Sequence, residues 1–119
     1  MMPHMFTEPF RVPVPGGKII DELVGAASGG HDAVSIAHMH APAGWSEPFQ
    51  TPEFAEYTIV VAGTVTIECN GVVHECHAGQ VFLTNPGERV RYGVGPEGAE
   101  YYAICLPAFT PDRVNREGE

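Results

Sequence analysis

Asn70-Gly71 separates two stretches in which apolar and polar residues alternate, Thr64 to Cys69 and Val72 to His77. An Asn-Gly pair supplies the two positive φ values of a type I′ turn, so the flanking stretches are expected to pair as an antiparallel hairpin. Val65, Ile67 and Cys69 alternate with Thr64, Thr66 and Glu68, the period of a strand with one face buried. Similar punctuation recurs along the chain. The run Gln80 to Thr84 stops at Asn85-Pro86-Gly87, Val90 to Val94 and Tyr101 to Leu106 flank Gly95-Pro96-Glu97-Gly98, and Pro107 ends the last run. Upstream, the apolar run Tyr57 to Ala62 breaks at Gly63. After Asp32, Val34, Ile36, His38 and His40 share one face of a period-2 strand, with Ala33, Ser35, Ala37 and Met39 on the other. About seven or eight short strands with hardly any amphipathic helix predict an all-β fold, an antiparallel barrel or jelly roll.

A chain of 119 residues supports one hydrophobic core. Its 14 Gly and 11 Pro favour turns and short strands over long helices. The net charge of −9, from 15 acidic and 6 basic side chains, excludes a phosphate-binding surface. Only Arg89 and Arg91 lie close together, and Lys18 is the single lysine. No stretch approaches the roughly 18 apolar residues of a membrane span, and Pro3 and Pro9 interrupt the first ten residues. A cytoplasmic protein without membrane or nucleic-acid partners is expected. Cys69, Cys76 and Cys105 are odd in number and contain no Cys-x-x-Cys pair, which fits reduced thiols.

Residues 1–33 read as an extended segment, with Pro13 and Pro15 restricting it to a sheet edge or a contact with a second copy. A homodimer is expected on that basis. Within it, Lys18 to Val24 fits either a strand or a short helical turn. Residues 34–106 form the expected barrel and residues 107–119 a polar C-terminal tail.

Between Gly44 and Val90 the glycines and one acid fall at fixed separations. Gly44 is followed by five residues, Gln50-Thr51-Pro52, three residues, Glu56, six residues and Gly63. Gly79 is followed by five residues, Asn85-Pro86-Gly87, two residues and Val90. This spacing resembles the two motifs of the cupin superfamily, in particular small single-domain cupins of type 2. The resemblance implies a single-domain cupin-type antiparallel β-barrel. It also implies a divalent metal, Zn, Fe, Mn or Ni, held by two histidines and a glutamate of the first motif and a histidine of the second. Here Glu56 keeps its place, Gln50 offers an amide oxygen, and Pro52 and Val90 offer nothing.

His38 and His40 could restore such a site. If the Val34/Ile36 face lines the barrel, both imidazoles enter the cavity beside Gln50 and Glu56, giving nitrogen and oxygen donors suited to those metals. Glu56 and Glu47 are candidate acid or base groups, and Trp45, Phe49 and Tyr92 candidate substrate contacts. Three functions follow: a metal-binding cupin acting on a small organic molecule as a dioxygenase, isomerase, cyclase or hydrolase; a metal-free ligand-binding or accessory cupin; and a metal-free acid/base enzyme using Glu56, whose mark would be a raised carboxylate pKa.

Overall fold

The computed structural model describes residues 3–118. Seven strands make one antiparallel sheet: β1 (Phe10–Val12), β2 (Ile19–Val24), β3 (Ser35–Ala41), β4 (Ala55–Cys69), β5 (Val72–His77), β6 (Val81–Thr84) and β7 (Val90–Leu106). The strands run β1-β2-β3-β7-β4-β5, with β6 pairing β4. Two four-residue helical turns, α1 (Ala26–Gly29) and α2 (Pro111–Val114), complete the fold. The all-β antiparallel architecture is the one expected from the turn spacing.

Asn70 and Gly71 take φ of 53° and 74°, and the hairpin closes with Cys69 opposite Val72 and Thr64 opposite His77. The stretch from Lys18, open between strand and helix, contains β2, whose ladder to β3 outweighs any helical preference. Short β1 pairs with β2 at the sheet edge, a place that tolerates the neighbouring prolines.

Sequence and structure part at Gly63 and at Gly95-Pro96-Glu97-Gly98. Neither ends a strand: β4 runs through 15 residues and β7 through 17. The two ladders are joined by a corner, where Gly63 opposes Ala99 but Val65 opposes Val94, so residues 95–98 swell out of β7 without leaving the sheet. Such bulges bend a strand and raise its local twist. One long pair can therefore turn from one wall of the barrel to the next.

Inward-facing residues build the core. Val60, Val65, Ile67, Val90, Tyr92 and Tyr101 are each at most 4% exposed, and Phe54, Cys105 and Val114 form a second cluster. Residues 107–118 close against the barrel: Ala108 is fully buried, Arg113 bonds Asp32 at 2.7 Å, and the Glu117 amide donates to the Phe49 carbonyl. The three cysteines are free.

Candidate functional site

A cavity of about 250 Å³ opens inside the barrel. Strand alternation sets its walls: Lys18, Ile20 and Glu22 come from β2 and its approach, Ser35, Ala37 and Met39 from β3, Glu56 from β4, and Tyr92, Tyr101, Ala103 and Cys105 from β7. The loop between β3 and β4 contributes Trp45, Glu47 and Gln50, and Arg116 reaches in from beyond α2. Gln50 is fixed there because its backbone pairs with Val90, amide to carbonyl, at 2.9 and 2.8 Å.

Opposite charges face each other in this space. The Lys18 ammonium lies 3.8 Å from the Trp45 ring centroid and 5.4 Å from that of Tyr101, an arrangement in which the ring faces attract the cation. Arg116 donates to Gln50 Oε1 at 3.1 Å and to Glu47 at 3.3 Å. Deeper in, Glu56 is 8% exposed. Burial, reinforced by the Glu47 charge, pushes its carboxyl up to about 7, against the pull of Lys18, the Cys105 thiol and Arg116. Burial pushes Lys18 down to about 8, opposed by Glu47 and Glu56. The Glu47 carboxyl is raised as well, again first by burial. Tyr92 and Tyr101 are held well above the ordinary tyrosine range by burial, so both stay neutral hydrogen-bonding groups, Tyr92 sharing a 2.9 Å bond with Thr84. Near neutrality the cavity thus holds a carboxyl that can give or take a proton beside a cation with a lowered proton affinity.

The expected four-ligand set is divided by the sheet. Gln50 and Glu56 line the cavity, but His38 and His40 do not. The inner face of β3 is the one bearing Ser35, Ala37 and Met39, placed opposite Cys105, Ala103 and Tyr101 of β7; small side chains there leave room for the cavity. The face bearing Ile36 and the two histidines looks outward. Alternation identifies the two faces of a strand without saying which is inside. On that outer face His38 Nε2 lies 2.8 Å from Glu100 Oε2 and His40 Nε2 lies 3.9 Å from it. These three side chains are a group able to hold a metal ion, and no other group of three or more such side chains occurs among the described residues.

The cavity itself does not fit a divalent metal. Of the positions implied by the cupin spacing, Val90 is fully buried in the core, Pro52 has no donor side chain, and the Gln50 oxygen already accepts from Arg116. Lys18 brings a second positive charge to the same space. Glutamates and an amide beside two cations, with no histidine in the lining, are no counterpart to the imidazole-rich sites these metals favour.

Among the other expected site residues, Glu47, Trp45 and Tyr92 line the cavity, whereas Phe49 does not. Phe49 lies under the guanidinium groups of Arg89 and Arg91, 3.8 and 4.8 Å from its ring centroid, because the loop carrying Gln50 inward turns its neighbour outward. Lys18, Arg116 and Glu100 escaped sequence reasoning. Lys18, Ile20 and Glu22 share a period-2 face, a signal that could have found the lysine once β2 was taken as a strand. Glu100 emerges only from the register that sets it opposite His40.

Comparison with known proteins agrees with this geometry. The family profile described as the AraC-like ligand binding domain matches residues 34–117. A curated relative, endoribonuclease YbeY of Myxococcus xanthus (strain DK1622), is 45% identical over 107 residues, covering 89% of this chain and 36% of that protein. The chain therefore spans about a third of the relative's length. Among solved structures, Bacillus subtilis oxalate decarboxylase, a protein with Mn(II) centres, superposes with a TM-score of 0.76 at 15% identity, over 93% of this chain and 31% of that one. An RmlC-like cupin from Shewanella frigidimarina NCIMB 400 gives 0.70 at 19% identity, over 85% and 86%. At these identities the likeness is one of fold, the cupin jelly roll.

Proposed function

The chain belongs to the AraC-like ligand binding domain family, a cupin-type barrel, and on that premise we propose that it binds a small polar organic molecule inside the barrel. The cavity carries this reading. At about 250 Å³ it lies just below the usual range of ligand pockets, roughly 300–1,000 Å³, and so suits a compact molecule. Trp45 and Met39 offer apolar walls, while Lys18, Glu47 and Glu56 offer charged and hydrogen-bonding groups on the other sides. A molecule with hydroxyl or amine groups and one apolar face satisfies both. Because the interior donors do not fit a metal, binding in this reading relies on side chains alone.

A second reading is favoured by the pairing of Glu56, at about 7, with Lys18, at about 8. Two such groups beside a bound molecule suit acid/base chemistry, with Glu56 as the proton carrier and Lys18 stabilising negative charge that develops on the substrate. The endoribonuclease activity for which the Myxococcus relative is named belongs, in our reading, to the part of that protein this chain does not match. A net charge of −9 opposes an RNA backbone.

A thermal-shift screen of small hydroxy acids, amino alcohols and polyols tests the proposal. Compounds that raise the melting temperature of the wild type are expected to lose that effect with Glu56→Gln and with Lys18→Met. Hits that stabilise both variants as well as the wild type would place binding outside the cavity. Incubation of each hit with the wild type separates the two readings, since only the acid/base enzyme converts it to product.

A further inference from the structure

From the outward face of β3 and β7 we infer a divalent metal site, formed by His38, His40 and Glu100, on the side of the sheet opposite the ligand cavity. The three donors come from adjacent strands whose register is fixed by the ladder, with His40 directly opposite Glu100 and His38 opposite Tyr102. Their ligand atoms lie within 4.8 Å of one another, with Glu100 Oε2 at 2.8 Å from His38 Nε2 and 3.9 Å from His40 Nε2. Bonds of about 2.0–2.2 Å to a tetrahedral ion separate ligand atoms by roughly 3.3–3.6 Å. Small rotations of side chains already in place span the difference.

The imidazoles are also held in position. His38 packs edge-on against His40, with ring centroids 4.9 Å apart and planes at 88°, and tilts against Tyr102 at 4.9 Å. All three donors are partly open to water, with side-chain exposures of 24%, 52% and 33% for His38, His40 and Glu100. Solvent can therefore complete the coordination. Asp21, opposite His38 on β2, is engaged by Arg11 at 2.6 and 3.1 Å and leaves the three-donor set intact. Two imidazole nitrogens and one carboxylate oxygen select Zn(II), Co(II) or Ni(II) over Mg(II) and Ca(II), which favour all-oxygen sites. A bound ion ties β3 to β7 on the outside, behind the Met39 and Tyr101 side chains that line the cavity within.

The test is titration of the metal-stripped full chain with Zn(II) by calorimetry and with Co(II) by visible absorption. One ion per chain is expected, with the intense absorption of tetrahedral Co(II), and a Mg(II) excess should not displace it. His40→Ala, at an exposed position, and Glu100→Gln, at a half-buried one, are expected to weaken Zn(II) binding by roughly 100-fold or more while leaving the melting curve of the metal-free protein in place. Glu56→Gln and His74→Ala should bind as the wild type does. Unchanged binding in His40→Ala and Glu100→Gln, absence of binding at about 1 mM Zn(II), or loss of binding in Glu56→Gln alone would overturn the assignment.

Discussion

Glu56→Gln is expected to stabilise this barrel by about 3 kcal/mol above pH 8 and to leave it nearly unchanged near pH 4.5. The native carboxyl binds its proton up to about 7, against an ordinary value of 4.5. Folding therefore favours the protonated form. The associated stability is fully present below about 4.5 and is lost as pH rises through about 7, because the native state must then hold a buried carboxylate that the unfolded chain leaves in water. Glutamine keeps the shape and hydrogen-bonding capacity of the protonated side chain and never ionises. Urea unfolding of both proteins from pH 4.5 to 8.5 measures the difference, which should widen with pH and correspond at the alkaline end to roughly 10 °C in melting temperature. Two parallel pH profiles would mean that Glu56 ionises as freely in the fold as in water. A residue kept at this expense in the middle of a cavity fits a functional group better than a packing element.

Gly63→Ala is expected to lower stability by roughly 3 kcal/mol or more. Gly63 has a φ of 77°, which costs a residue with a side chain energy on its own. A Cβ there would also overlap the backbone carbonyl oxygen of Gly98. Gly98 cannot retreat: its φ is 73°, and a point where its own Cβ would stand is only 2.5 Å from the Ala41 carbonyl oxygen. The three backbones of β3, β4 and β7 meet at this corner, so relief in one place creates overlap in another. Gly71→Ala is the comparison. It too has a positive φ, of 74°, but open space around it, and it should lose only the conformational part, about 1 kcal/mol. Chemical denaturation of the two variants checks this, and equal losses would show that the corner is looser than its packing implies.

The fold was legible because the residues that set it act locally. Asn70-Gly71 determines a hairpin wherever it stands between alternating runs, and Pro107 ends β7 for want of a donor. Gly63 and the Gly95 to Gly98 stretch misled for the same local reason. They look like chain reversals, and only the ladder between two long strands turns them into a corner. The site was less legible. Gln50 and Glu56 could be placed by motif spacing and Glu47 by its nearness to Gln50, but Lys18 and Arg116 reach the cavity from the two ends of the chain, through pairings no short window reveals. For His38 and His40, period 2 established a shared face, while the choice of inside or outside was decided by the small residues Ala37 and Ala103 meeting across β3 and β7. Glu100 then supplies an outward carboxylate for them.

Trp45 provides the most direct test of the claim that the barrel interior is a ligand site. It is the single tryptophan, it lines the cavity, and the Lys18 ammonium lies over its ring. Its fluorescence should therefore report occupancy. Titration of the wild type with a stabilising compound is expected to change Trp45 emission saturably with one-site stoichiometry, and Lys18→Met should abolish or strongly weaken the response. A compound that raises the melting temperature while Trp45 emission stays constant through saturation would contradict ligand binding within the barrel.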